Sequence, residues 1–432
     1  MAEIKAFRGL RYNPGKIRDL STVFAPPYDV ISSRAQEALY RSSPYNVIRL
    51  ELGKEKPRDS VHRNKYTRAR DFLERWKSEG VLIRENAPAL YIYRQDYRDG
   101  RRVRSRVGFL AAMKVDKKAV LKHENTLAAP KKDRLALLKE TRTNLSPIWG
   151  LFEDKDGRVK RSLETALKER PVIDITLDGV RHRLVVEMRP GVIRAIIDAL
   201  RYKPMFIADG HHRFEVACQF RDWMRAQSPP GKKDAAPWDY VLSYFSDCVH
   251  NPLKIYPTHR LISSPKGMKG PLEALRKRGS LRKMSGLAEM MSKGKRLEKN
   301  RQDTPRKGYD FGIYTKKDGF YLFTLDNKRA SGVRKDPVRS LDVSVLHRLI
   351  LEPCFGIKAI EKSKSIDFTR HPAEACAKVR AREFDMAIFL RPTSLQEILR
   401  ASKRGLKMPQ KSTYFYPKLL SGLVFNGVGP HD

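Results

Sequence analysis

The sequence predicts an α+β fold with mixed, largely antiparallel sheets and helices packed on them. Three observations carry that expectation. Asp99-Gly100, Asp178-Gly179 and Asp318-Gly319 each sit between runs that alternate apolar and polar residues. Such turns need positive φ, which Gly and Asp tolerate, so each reads as a hairpin. Helical periodicities fall between the hairpins rather than in a strict strand–helix alternation. Neither G-x-G-x-x-G nor G-x-S-x-G occurs, which removes the dinucleotide fold and the hydrolase elbow.

Taken in order, Ala25-Pro26-Pro27-Tyr28-Asp29-Val30-Ile31 reads as an extended approach to a turn, because Pro-Pro fixes φ. Apolar spacing predicts helices over Ser33–Tyr40 and Tyr66–Glu79. Between them, Asn46–Leu52 alternates like a strand, with Val47, Arg49 and Glu51 on one face. Ala89–Tyr97 and Val103–Met113 form the first hairpin, and Val172–Leu177 with His182–Met188 the second. Helices are expected at Lys132–Thr141, Arg161–Glu169, Val192–Leu200 and His212–Ala226. A short apolar strand, Pro204–Ile207, leads into the last of these, and Pro229-Pro230-Gly231 reads as a loop. The basic stretch 263–306 is expected to hold a helix or two. Tyr309–Tyr314 and Phe320–Leu325 form the third hairpin, followed by helices at Val343–Leu351 and Leu395–Ser402. This organisation divides into a core at 1–262, a basic insertion with its hairpin at 263–340, and a C-terminal segment at 341–432 that completes the site.

The 432 residues are 41% hydrophobic and 9% aromatic, enough for a packed core. There is no apolar run long enough for a membrane span and no apolar stretch near Met1 that reads as a secretory signal, so the expected location is cytoplasmic. Cys218, Cys248, Cys354 and Cys376 are widely spaced without a CxxC pair, which argues against structural zinc and a disulfide framework. Lys and Arg number 88 against 49 acids, a net charge of +39. That excess favours anionic partners: nucleic acid, phosphorylated metabolites or acidic surfaces. It is densest at 266–307, with 14 basic residues against four acids and no interleaved aromatics. A stacking platform for single strands is therefore not expected there.

The chemistry concentrates at Ile207-Ala208-Asp209-Gly210-His211-His212-Arg213. A strand running into a helix start delivers free N–H groups and a partial positive charge, suited to phosphate. Asp209 is expected to cap the helix, Gly210 to let a ligand approach the backbone, His212 to carry a proton, and Arg213 to clamp phosphate. Adjacent helical residues diverge by about 100°, so His211 and His212 make a poor metal chelate. A second cluster, His123-Glu124-Asn125-Thr126 followed by Asp133 and Arg134, joins a proton carrier to anion-binding groups. Lys411, Ser412 and Thr413 resemble the end of a phosphate loop, but no Gly-rich stretch precedes them. They remain phosphate-binding candidates in another geometry.

Together Ala25–Ile31, Asn46–Glu51, His123–Thr126, Asp133-Arg134, Ala208–Arg213, Pro257–Arg260, Asp342–His347 and Pro409–Lys418 resemble, in this order, the domain of unknown function 1015 family. That family has no settled activity. The stretch Asp209–Arg213 is similar to the signature of the ParB/sulfiredoxin-like superfamily, which implies such a core within 1–262. Its free-serine kinases carry Asp-Gly-Thr-His-Arg; here His211 takes the Thr position. It also takes the place of the sulfiredoxin Cys, so thiol chemistry is not implied. The Gly-Glu-Arg-Arg motif and helix-turn-helix of partitioning proteins are absent. The kinase resemblance implies an upstream acidic base, for which Glu51, Glu124 and Asp29 are candidates. The expected function is phosphoryl transfer or phosphate-ester hydrolysis on a small metabolite, with serine the leading substrate. Asp209, His212, Glu51, His123 and Glu124 are the catalytic candidates. Gly210, His211, Arg213, Asp133, Arg134, Lys411, Ser412 and Thr413 are the binding ones. Mg²⁺ is expected with a nucleotide. Nucleic-acid binding and non-catalytic sensing are the alternatives.

Overall fold

A computed structural model describes residues 2–124, 126–228, 235–251, 253–265, 268, 270–299, 308–333, 336–358, 360 and 363–430, without the side chains of 294–299. Asn125, the Pro229-Pro230-Gly231 loop and parts of the basic stretch lie outside them. The fold is mixed α+β with mostly antiparallel strand pairs.

Each Asp-Gly turn closes a hairpin. Leu90–Asp99 pairs with Arg102–Lys114, Ile173–Leu177 with Val180–Glu187, and Tyr309–Thr315 with Gly319–Leu325. Asp178 at φ 49° and Gly179 at φ 75° are both left-handed, as a two-residue hairpin turn following the strand twist requires.

Contacts divide the chain into two compact units: Met1–Lys122, Thr126–Leu253 and Pro417–Asp432 in one, His123–Asn125 and Lys254–Tyr416 in the other. In the first, one sheet runs in the order Val120–Leu121, Met205–Asp209, Ile148–Phe152, Tyr240–Asp247, Arg102–Lys114, Leu90–Asp99, Val180–Glu187, Ile173–Leu177. Two neighbouring pairs are parallel: Met205–Asp209 with Val120–Leu121, and Tyr240–Asp247 with Ile148–Phe152. Phe109, Ile148, Val185, Ile207 and Phe245 pack with Leu163, Ile196 and Phe214 from the helices. In the second unit an antiparallel sheet runs Gly279–Met284, Gly319–Leu325, Tyr309–Thr315, Met386–Phe389, His259–Ile262, Ile366–Thr369. Leu261, Tyr314, Ala387 and Phe389 pack there with Val379 of the helix Pro372–Arg380.

The boundaries expected at 262 and 340 are not where the chain divides. His259–Ile262 shares a sheet with the third hairpin and with Met386–Phe389, because strand pairing, not composition, sets the unit. The C-terminal residues belong to the first unit: Leu10 and Phe425 exchange backbone hydrogen bonds, and Val428 N donates to Arg142 O. The basic stretch holds helices at Pro271–Arg276 and Leu287–Lys299, and also the edge strand Gly279–Met284. Asn46–Leu52 is likewise not a strand but contains a short helix, Ile48–Glu51. Asn46 Oδ1 accepts from Ile48 N (2.9 Å) while its Nδ2 donates to Thr22 O (2.7 Å), so a tertiary anchor starts a helical turn there.

Candidate functional site

The strand Met205–Asp209 runs antiparallel to Ile148–Phe152, and its register shifts between Ile207 and Asp209. Such an irregularity re-aims the side chain that follows it. Gly210 then turns the chain at φ 90° into the helix His211–Ala226, so Gly210 occupies the N-cap and Asp209 does not. The Asp209 carboxylate goes instead to two cations. Its Oδ2 accepts from Arg213 Nη2 at 2.8 Å and its Oδ1 from Lys418 Nζ at 2.6 Å. Charge pairing outcompetes capping because one carboxylate meets a guanidinium and an ammonium.

Gly210 has a second reason to be glycine. A Cβ there would lie 3.1–3.2 Å from the Arg213 guanidinium, which folds back over it. Gly210→Ala is expected to cost about 1–2 kcal/mol from the left-handed backbone. It also displaces Arg213. Urea unfolding measures the first effect, and an unchanged midpoint would refute it.

The two histidines differ. His211 is buried in the first helical turn. His212 Nε2 accepts from Leu127 N at 2.9 Å, which places the neutral ring's proton on Nδ1. That bond holds the chain where it enters the helix Ala128–Thr141. In this arrangement Nε2 has no proton to give.

Arg134, on that helix, is almost wholly buried. Its Nη1 donates to Glu51 O at 2.6 Å, its Nε to Asp133 Oδ2 at 2.8 Å, and its guanidinium lies 4.3 Å from the Tyr28 ring centre. Glu51, 3% exposed, lies 3.7 Å from Arg134 Nη1 and accepts from Ser146 Oγ at 2.9 Å. Asp133 also receives Lys65 Nζ at 2.9 Å and Tyr66 OH at 2.8 Å. Burial works to raise the Asp133 carboxyl, but Arg134 and Lys65 outweigh it and hold it down at about 2. Burial also disfavours charge on Arg134, yet Glu51 and Asp133 keep it above its ordinary value. Burial pushes the Tyr28 phenol up to about 12, so it stays protonated.

Glu51, Arg134, Ser146 and Arg213 line one cavity of about 50 Å³, with Leu137, Leu138, Val216 and Val241 as its apolar wall. That volume is far below the several hundred Å³ of a whole-ligand pocket, so it suits one chemical group. Glu51, Asp133 and Asp209 are each paired with cations. This donor set does not fit a resident Mg²⁺, which needs carboxylates free to bind it.

The remaining candidates belong to the second unit. His123 is buried, and its carbonyl accepts from Met408 N at 2.7 Å. Glu124 Oε1 accepts from Lys411 N at 3.2 Å. Lys411 is left-handed at φ 55°, and its carbonyl faces Arg260 Nη2 at 3.4 Å. Ser412 Oγ donates to Pro409 O, so this hydroxyl shapes its own turn. Thr413 lies half-buried beside it. Of the three candidate bases, Asp29 is exposed and Glu51 reaches the cavity of Arg213. Sequence reasoning missed Ser146 and Lys418. Lys418 stands 209 residues from Asp209, and no local pattern signals their pairing.

Comparison with solved structures finds weak likenesses. Free serine kinase in complex with AMP matches at 11% identity and TM-score 0.35, covering 73% of this chain and 92% of that one. A conserved hypothetical protein from Pyrococcus furiosus matches at 11% and 0.34, covering 73% and 95%. SbnI from Staphylococcus aureus, truncated at its C-terminus, matches at 13% and 0.35, covering 72% and 85%. At such values none of them bears on what this chain does. Comparison with curated proteins finds no match. Among the described residues no helix is long and apolar enough to cross a membrane. The model of the family described as protein of unknown function (DUF1015) matches residues 4–344, most of the chain, and the protein belongs to that family.

Proposed function

We propose that the first unit binds the phosphoryl group of a small phosphorylated metabolite or nucleotide, and that the protein transfers or hydrolyses it. One observation carries this reading: Glu51, Arg134 and Arg213, far apart in sequence, converge on one small cavity. Phosphoryl transfer asks a protein mainly for positioning and charge stabilisation. Two guanidiniums supply donors in the planar geometry that phosphate oxygens match. Glu51, buried and beside the Ser146 hydroxyl, is the group placed to take a proton from an attacking hydroxyl or water. His212, held through Nε2, orients the loop rather than the reaction. Mg²⁺, if used, arrives with a nucleotide's phosphates. Serine as the acceptor is the leading substrate.

A thermal-shift series with AMP, ATP, phosphoserine and inorganic phosphate tests binding, with and without Mg²⁺. Ligand at about 100 times its Kd stabilises the protein by roughly 2.7 kcal/mol. At least one compound is expected to raise Tm in the wild type and not in Arg213→Ala. Phosphorus NMR with ATP and serine, or with phosphoserine alone, follows turnover. Binding without turnover would make the protein a sensor. No shift with any compound, or shifts indifferent to Arg213→Ala, would overturn the reading.

A further inference from the structure

Lys418 lies just past the Lys411–Thr413 turn, in the C-terminal residues that belong to the first unit. Its side chain is 11% exposed, with Nζ 2.6 Å from Asp209 Oδ1. An extended lysine reaches one carboxylate oxygen reproducibly only if its backbone is held. Two buried side chains hold it. Gln95 Nε2 donates to Lys418 O at 2.9 Å, and Arg106 Nη2 donates to Pro417 O at 2.7 Å. Arg106 Nη2 also bonds Gln95 Oε1, which ties the two holders together.

Arg106 is an expensive way to hold a carbonyl. It is completely buried, and its hydrogen bonds go to a carbonyl and an amide oxygen, neither of them charged. Its guanidinium stacks 3.8 Å from the Trp149 ring centre and lies 5.9 Å from that of Tyr244, and the two rings offset part of the cost of burial. Burying a cation without a counter-charge is costly, and an apolar residue of similar size would pack there at less cost. What the guanidinium supplies that an apolar residue cannot is a fixed direction for the Pro417–Lys418 backbone. Trp149 is at the same time the register partner of Asp209. Arg106 therefore rests on the residue that positions the carboxylate and grips the segment that delivers the ammonium.

We propose that Lys418 is a phosphate-binding residue of this site, and that Arg106 and Gln95 position it through the backbone of Pro417–Lys418. The ligand role rests on the phosphoryl reading given above; the positioning role does not. Lys418 and Arg213 both donate to the carboxylate of Asp209, which brings a second cation beside the Arg213 that lines the cavity. Arg213 also donates to Pro147 O, and an arriving phosphoryl group offers both cations a further acceptor without moving their backbones. Charge developing on its oxygens then meets donors already in place.

The test uses the full chain and reads two quantities. The first needs no ligand: the rate of amine acylation at Lys418, followed by mass spectrometry. Arg106→Lys and Gln95→Met are each expected to speed it severalfold. Lys203, which pairs with Asp154 and Asp156, serves as the control lysine and is expected to keep its rate. Unchanged Lys418 labelling in both variants overturns the positioning role. The second is affinity for inorganic phosphate and phosphoserine. Lys418→Met is expected to weaken it about tenfold or more, as loss of a charge-assisted hydrogen bond does. Arg106→Lys is expected to weaken it in the wild-type background and to add nothing once Lys418 is gone. Equal losses in both backgrounds would show Arg106 to be structural only. If labelling follows the variants but the wild type binds neither phosphate compound, the ligand role falls and the positioning role stands.

Discussion

Arg134→Met is expected to destabilise the first unit by about 3–5 kcal/mol, the usual cost of breaking a buried ion pair from one side. The cause is what is left behind. Glu51 is 3% exposed and would keep the Ser146 hydroxyl but lose the guanidinium. Asp133 would lose one of its three partners yet retain Lys65 and Tyr66, so it contributes less. Tyr28 would lose the cation beneath its ring. Because most of the cost is a stranded carboxylate, Arg134→Met combined with Glu51→Gln is expected to recover a substantial part of it. Urea denaturation of the two single variants and the double variant measures this directly. A loss below about 1 kcal/mol for Arg134→Met, or strict additivity in the double variant, would show that Glu51 and Arg134 are not coupled. The same variants separate stability from function: the double variant regains stability while phosphate affinity stays lost.

The elements that local chemistry dictates were legible in the sequence. All three Asp-Gly hairpins formed, because positive φ is a local demand and these residues meet it locally. The helix starting beside Asp209 was legible too, whereas the convergence of Arg213, Arg134 and Glu51 on one cavity comes from the fold. Asn46–Leu52 misled because a four-residue helix buries Ile48, Leu50 and Glu51 in a pattern that two-residue alternation imitates. The capping role assigned to Asp209 failed for a different reason. Its competitor, Lys418, comes from the far end of the chain, and pairwise charge outweighs a local hydrogen bond. The Arg106 to Pro417 contact spans 311 residues, and nothing around Arg106 distinguishes it from the many surface arginines of so basic a chain. Composition showed an excess of cations. Only the fold showed which of them are buried.

Acid sensitivity is the second large effect expected, and it comes from buried histidines that stay neutral. Burial, reinforced by Arg106, holds His182 down at about 4 in the first unit. In the second unit burial and Arg260 hold His259 at about 3 and His347 at about 2. Each ring sits where a proton is unwelcome: His182 Nδ1 lies 2.5 Å from Tyr93 OH, and His259 Nδ1 accepts from Leu390 N at 3.3 Å. In the unfolded chain a histidine takes up its proton near 6.5. Between that value and the depressed folded one, the unfolded state binds one more proton per histidine. Stability from these groups is therefore complete above pH 6.5 and is lost as pH falls below it, by roughly 1.4 kcal/mol per pH unit and per histidine. From pH 6.5 to 4.5 His259 and His347 together withdraw roughly 5 kcal/mol from the second unit. Hydrogen exchange of amides in His259–Ile262 and Met386–Phe389, measured across that range, reports it. His347→Gln removes one titrating group without adding charge, so it is expected to lower the slope by one proton whatever it does to stability at pH 7. His182→Gln is expected to do the same in the strands Leu90–Asp99 and Val180–Glu187. A slope unchanged by His347→Gln would mean that this ring is protonated in the folded protein, and the neutral, buried environment ascribed to it beside Arg260 would be wrong.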